Sequence, residues 1–78
     1  MKDYKNLGDF LKHERTKRNL TQYQFAEFLG ITKTHYTMLE NNKYGCGVIT
    51  LQNIAEKLKV SSRNLRKLDD ATRSQLKQ

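Results

Sequence analysis

LTQYQFAEFLGITKTHYTMLEN, residues 20–41, carries two helix signals with a stop between them. Thr21 is an N-cap residue, and Gln24, three positions on, can reach back to it in a capping box. Phe25, Ala26, Phe28 and Leu29 follow as an apolar stripe at helical spacing, and Gly30 supplies the left-handed residue that ends a helix. Ile31 leads to Thr32, a second N-cap, and to a second short helix with Tyr36 and Leu39 on its inward side. Two short helices about a glycine turn form a helix-turn-helix, a motif that presents its second helix to the DNA major groove.

Upstream, residues 3–18 read as an amphipathic helix. Tyr4, Leu7 and Leu11 fall on one stripe with Phe10 beside it, while Lys5, Asp9, Lys12 and Lys17 face water. Gly8 weakens this helix and therefore marks a close approach by another one. Arg15 lies one turn beyond Leu11, at the edge of the inward stripe. Arg18 and Asn19 close the segment, since asparagine tolerates the left-handed conformation that such a turn needs.

Downstream, residues 42–47, NKYGCG, have no apolar periodicity and two glycines, and read as a loop. Lys43 and the amides around Gly45 either approach phosphates or belong to a plain connector. Residues 48–58 form a fourth helix with Leu51, Ile54, Ala55 and Leu58 at the i, i+3, i+4, i+7 positions of a buried face. Val60 continues into the core, and Ser61 caps a fifth helix holding Leu65 and Leu68. Residues 69–78 are mostly polar; Ala71 and Leu76 either extend the last helix or sit in a frayed tail. The expected division is a domain over residues 1–68, its motif at about 21–40, and a tail or helix extension over 69–78.

The chain has 78 residues, room for one domain and one small core. Lys and Arg number 15 against 8 Asp and Glu, a formal net charge of +7, which suits a polyanionic partner. Membrane is the competing polyanion, but no stretch is apolar enough to span a bilayer, and the basic helices lack a wide Trp/Phe/Leu face. The single cysteine excludes an internal disulfide, and no secretory apolar run stands near Met1. A cytoplasmic, nucleoid-associated protein is expected. Cys46, His13 and His35 match no zinc spacing, so no metal site is expected. Glu14, Glu27, Glu40 and Glu56 are dispersed over separate helices, and no phosphate-binding glycine loop is present. These absences argue against an enzyme and against any cofactor or small-molecule ligand.

The ordered set Leu20-Thr21-Gln22, Phe25-Ala26, Leu29-Gly30-Ile31-Thr32, Tyr36 and Leu39-Glu40-Asn41 resembles the helix-turn-helix of the phage repressor and Cro family, the Xre-like DNA-binding proteins. The resemblance extends from Leu7-Gly8 and Arg15 to Leu51, Ile54-Ala55, Leu58, Val60 and Leu65. It implies an all-α fold, a compact five-helix bundle of the lambda-repressor-like DNA-binding type. It also implies that Arg15 pairs with Glu40 at the end of the recognition helix, and that Gln22 contacts a backbone phosphate. The family often carries a proline near the end of the loop after that helix; its absence here leaves the path of residues 42–47 open.

With Tyr36 and Leu39 inward, Lys33, Thr34, Thr37 and Met38 lie on or near the groove face. Lys33 can donate to guanine O6 or N7, Thr34 offers a hydroxyl and a methyl, and Met38 can meet a thymine methyl. His35 reads a base, touches a phosphate or stays in solvent; geometry alone ranks these equally. Gln22 and Tyr23, at the positive end of the preceding helix, are placed for phosphate, although Gln22 also fits a purely capping role. Asn41 and Lys43 complete the candidate DNA contacts.

The expected function is a sequence-specific transcriptional regulator, a repressor that binds double-stranded DNA at a palindromic operator as a homodimer through residues 32–41. Leu68, Ala71 and Leu76 are the expected dimer contacts. An antitoxin-like interaction module and an architectural DNA binder are the competing readings.

Overall fold

The computed structural model describes residues 4–43 and 45–76. Asp3, at the expected start of the first helix, Tyr44 in the loop, and Lys77 and Gln78 at the end of the tail lie outside the described residues. The fold is all-α, with five helices and, among the described residues, no strand: α1 (Leu7–Lys17), α2 (Gln22–Leu29), α3 (Lys33–Glu40), α4 (Val48–Leu58) and α5 (Ser62–Leu76). Helix α3 packs on α1 and α2, and α5 packs on α1 and α4.

Helix α1 begins at Leu7 rather than at 3. Asn6 caps it from an extended backbone, and its side chain accepts the Asp9 N–H at 2.9 Å. Tyr4 remains outside the helix, half-buried and edge-on to Phe10 at 5.2 Å.

The first four helices all end the same way. Asn19, Gly30, Asn42 and Lys59 each take the left-handed conformation, with φ of 56, 80, 57 and 57°. At each, that residue's N–H and the next one's return to carbonyls three and five residues back, as in the 3.0 Å Asn19-to-Thr16 and 3.3 Å Leu20-to-Arg15 bonds. This pairing satisfies carbonyls that a helix end otherwise leaves orphaned. Lys59 is the unexpected member, because a side chain other than Gly or Asn in this region costs about 1–2 kcal/mol.

Phe25 and Tyr36 are fully enclosed and meet edge-to-face at 5.4 Å, joining α2 to α3 inside the core. Leu7, Leu11, Leu29, Leu39, Ile54 and Leu65 are each at most 2% exposed around them. Burying one such side chain contributes about 1.5–3 kcal/mol. Phe28, read from the sequence as part of the stripe, is instead 43% exposed and stacks on Phe25 at 5.9 Å. It lies about 60° around the helix from Phe25, on the side away from Ala26 and Leu29.

Of the two alternatives for residues 69–78, a tail or an extension of the last helix, the described residues to Leu76 take the second. Helix α5 runs unbroken to Leu76, and Leu65, Leu68, Asp69 and Thr72 form one buried stripe. Two of these residues are polar, so the stripe has no apolar signature beyond Leu68. Both find partners: Asp69 Oδ1 accepts the Cys46 N–H at 2.6 Å, and the Thr72 hydroxyl accepts the Leu7 N–H at 3.1 Å. Leu68, only 8% exposed, belongs to the monomer core and is withdrawn from the expected dimer surface. No helix among the described residues is long and apolar enough to cross a membrane.

Candidate nucleic-acid interface

The position of α3 is set from its buried side. Arg15 donates to the Glu40 carboxylate from Nε at 2.9 Å and from Nη2 at 3.3 Å, and its Nη1 reaches the Leu20 carbonyl at 2.9 Å. The Tyr36 hydroxyl and, at 3.0 Å, the Gln22 amide donate to the same carboxylate. One side chain thereby ties α3 to α1 and to the first turn of α2. Burial alone would raise the Glu40 pKa, but the hydrogen bonds from Arg15, Tyr36 and Gln22 outweigh it and hold the carboxyl below its ordinary value. Burial pushes the Tyr36 phenol well above its ordinary value, and the neighbouring carboxylate adds to that shift. The group is therefore an ionised carboxylate held by a guanidinium and a neutral phenol, with every buried side-chain polar atom among the described residues partnered.

Close approach makes this possible. A Cβ on Gly8 would lie 2.3 Å from the Glu40 carbonyl oxygen, so only glycine lets α1 pass the end of α3 at this distance.

The opposite face of α3 is open. Lys33 and Thr34, after the Thr32 cap, are exposed, Met38 is 37% exposed one turn on, and Asn41 is exposed at the C-cap. His35 is half-buried and its backbone N–H goes to the Thr32 hydroxyl at 3.1 Å. Thr37 departs from the expected groove position. It is half-buried, and its hydroxyl donates to Gln22 Oε1 at 3.2 Å, because its place on α3 faces the start of α2.

Gln22 is accordingly more committed than its sequence position suggests. Its carboxamide bridges Glu40 and Thr37, which leaves one amide hydrogen for a phosphate. Thr21 and Gln24 form the expected capping box, each side chain bonding the other's backbone N–H at 3.1 and 2.9 Å. Tyr23 projects beside them, 61% exposed, and Lys43 is exposed beyond α3.

The loop after α3 is not a loose connector. The Asn42 carboxamide oxygen accepts the Gly8 N–H at 3.0 Å and the Thr72 hydroxyl at 3.1 Å, joining the ends of α1 and α3 to α5. The Cys46 amide, one of those around Gly45 left open between phosphate contact and plain connector, is taken by Asp69, and the Arg73 guanidinium donates to the Cys46 carbonyl at 2.8 Å. Burial, reinforced by the Asp69 charge, raises the Cys46 pKa to about 11, so the group is a neutral thiol. Asn42 and Asp69 were not singled out by the sequence. The signal for Asn42 was present, an asparagine just past a helix end; Asp69 had none, because its partner is a backbone amide 23 residues away.

A helix-turn-helix family model matches residues 11–70 of the chain. A protein described as the ImmF control region 10 kDa protein, from Bacillus phage phi105, is 36% identical over 55 residues. That match spans 70% of this chain and 61% of the phage protein. No solved structure matches the chain.

Proposed function

The chain belongs to this helix-turn-helix family, of the Xre-like kind, and from that premise we propose that it is a DNA-binding transcriptional regulator. It acts as a repressor at a palindromic operator, which it binds as a homodimer. The observation that carries the reading is the two-sidedness of α3. Tyr36, Leu39 and Glu40 are locked inward, while Lys33, Thr34 and Met38 stand outward on a rigid helix. Rigidity on one face and open donors on the other is what base readout requires. The net charge of +7 supplies the nonspecific attraction to phosphate. The name of the phi105 relative, a control-region protein, supports regulation over a purely architectural role.

Lys33 and Thr34 read base edges in the major groove, and Met38 meets a thymine methyl. Gln22, Tyr23, Asn41 and Lys43 contact the sugar-phosphate backbone, and His35 lies along the border between the two sets. Thr37 acts mainly by fixing Gln22. Ala71, half-buried, and Leu76, 46% exposed, remain the α5 contribution to a dimer. No catalytic step, metal or small-molecule ligand enters this reading. Selection of binding sites from random double-stranded DNA tests it: a short two-fold symmetric consensus is expected, and recovery of unselected sequence would overturn it.

A further inference from the structure

The residues that hold the loop after the recognition helix lie partly beyond the matched family region, which ends at residue 70. On α5, Asp69 accepts the Cys46 N–H through Oδ1 and the Arg73 Nε–H through Oδ2, at 2.6 and 2.9 Å. Arg73 in turn donates to the Cys46 carbonyl, so both backbone groups of Cys46 are held from one helix. Gly45 lies beneath the same guanidinium; a Cβ there would stand 2.6 Å from it. One turn further along α5 from Leu68, Thr72 holds Asn42, whose left-handed backbone closes α3. Lys43 is thus tied to α3 through its own N–H and that of Asn42, which bond the Met38 and Leu39 carbonyls at 2.9 and 3.1 Å, while α5 holds the Asn42 side chain before it and the Cys46 backbone after it.

We propose that Asp69 is a positioning residue for DNA binding: through the Cys46 amide it anchors the chain that follows Lys43, as α3 and Thr72 anchor the chain before it, so that Lys43 meets a phosphate. The inference rests on the DNA-binding reading above and adds the second half of α5 to the binding apparatus. Asp69 touches no DNA. Its charge alone disfavours a polyanion, so simple electrostatics and positioning predict opposite outcomes when it is removed.

The experiment compares Asp69→Ala with Asp69→Asn in the full chain. Both variants remove the same charge, but asparagine keeps an oxygen that can accept the Cys46 N–H. DNA affinity is measured as a function of salt on the selected operator, with helicity confirmed by circular dichroism. Positioning predicts that Asp69→Ala binds about tenfold more weakly, with a salt slope shallower by about 0.9, the change expected when one phosphate is no longer neutralised. Asp69→Asn restores both to the wild-type values or binds slightly more tightly, and base preference at the Lys33 position stays unchanged in either variant. Equal behaviour of the two variants overturns the proposal, as does weaker binding by Asp69→Ala at an unaltered slope. If Asp69→Ala does not fold, Arg73→Lys carries the test. It preserves charge but cannot fork between Asp69 and the Cys46 carbonyl, and a smaller drop in affinity and slope in the same direction is expected; no change in either overturns the idea. Failure of the wild-type protein to select DNA would instead remove the reading on which the proposal stands.

Discussion

Arg15 and Glu40, 25 residues apart in sequence, meet in a two-point ion pair whose side chains are 17% and 5% exposed. The carboxylate is further held by Tyr36 and Gln22, so removing Arg15 strands a charge that the fold has already desolvated. Arg15→Ala is expected to destabilise the protein by about 3–5 kcal/mol, the range for breaking a buried pair by one partner. Urea unfolding of Arg15→Ala, Glu40→Gln and the double variant measures the coupling. A coupling energy near zero would show that the pair is geometric only.

The same carboxylate predicts the acid limb of stability. Glu40 and Glu14 are both buried. Burial alone would raise the Glu14 pKa, but Arg18 and Lys17 bonds at 2.8 and 3.0 Å outweigh it and hold the carboxyl below its ordinary value, as the Glu40 partners do there. A depressed folded-state pKa contributes stability that is present above the unfolded value, near 4.5, and is lost as pH falls through the lower folded value. Stability is therefore expected to be flat near neutrality and to drop below about pH 4.5. Glu40→Gln, though weaker at neutral pH, should show a shallower drop; urea titrations across that window compare the slopes, and parallel limbs would exclude Glu40 as a contributor.

Lys33 and Gln22 separate reading from positioning. Lys33→Ala is expected to relax preference at one base position by about 1–3 kcal/mol, with other positions intact. Gln22→Ala should weaken specific and nonspecific DNA alike, and should also lower stability, since Glu40 and Thr37 lose a partner. Competition binding against single-base operator variants distinguishes these outcomes. Uniform weakening by Lys33→Ala would reassign that lysine to phosphate.

Much of this fold was legible because its signals are local. The Thr21 cap, the Gly30 stop, the Asn19 turn and the 51–54–55–58 stripe each announce themselves within one helix. The Arg15–Glu40 pair was legible through position and family resemblance. What escaped was carried by polar groups with distant partners. Thr72 and Asp69 look like tail residues until α1 and the loop are brought against them. Gln22 looks like a free donor until Glu40 and Thr37 claim it. Phe28 misled in the other direction, because apolar spacing does not say how wide a face eight residues can bury.

Assembly is the remaining expectation, and burial of Leu68 sharpens it. One recognition helix reaches too few base pairs to single out one site in a genome, whereas a two-fold dimer doubles the readout and sets its helices roughly 34 Å apart. Any dimer surface must use side chains the monomer leaves in water and must keep α3 clear. At the end of α5, Leu76 is 46% exposed with Ala71 half-buried five residues before; at the start of α4, Val48 and Ile49 are 56% and 74% exposed. Both patches are small, so the free protein is expected to be largely monomeric and to dimerise on its operator. Leu76→Glu should weaken binding to the full operator but not to a half-site, and sedimentation of the complex should then find one protein bound rather than two. If Leu76→Glu is silent and Ile49→Glu has that effect, the contact belongs to α4. If neither variant alters the stoichiometry, and wild-type protein binds a non-palindromic site one to one, the regulator works as a monomer.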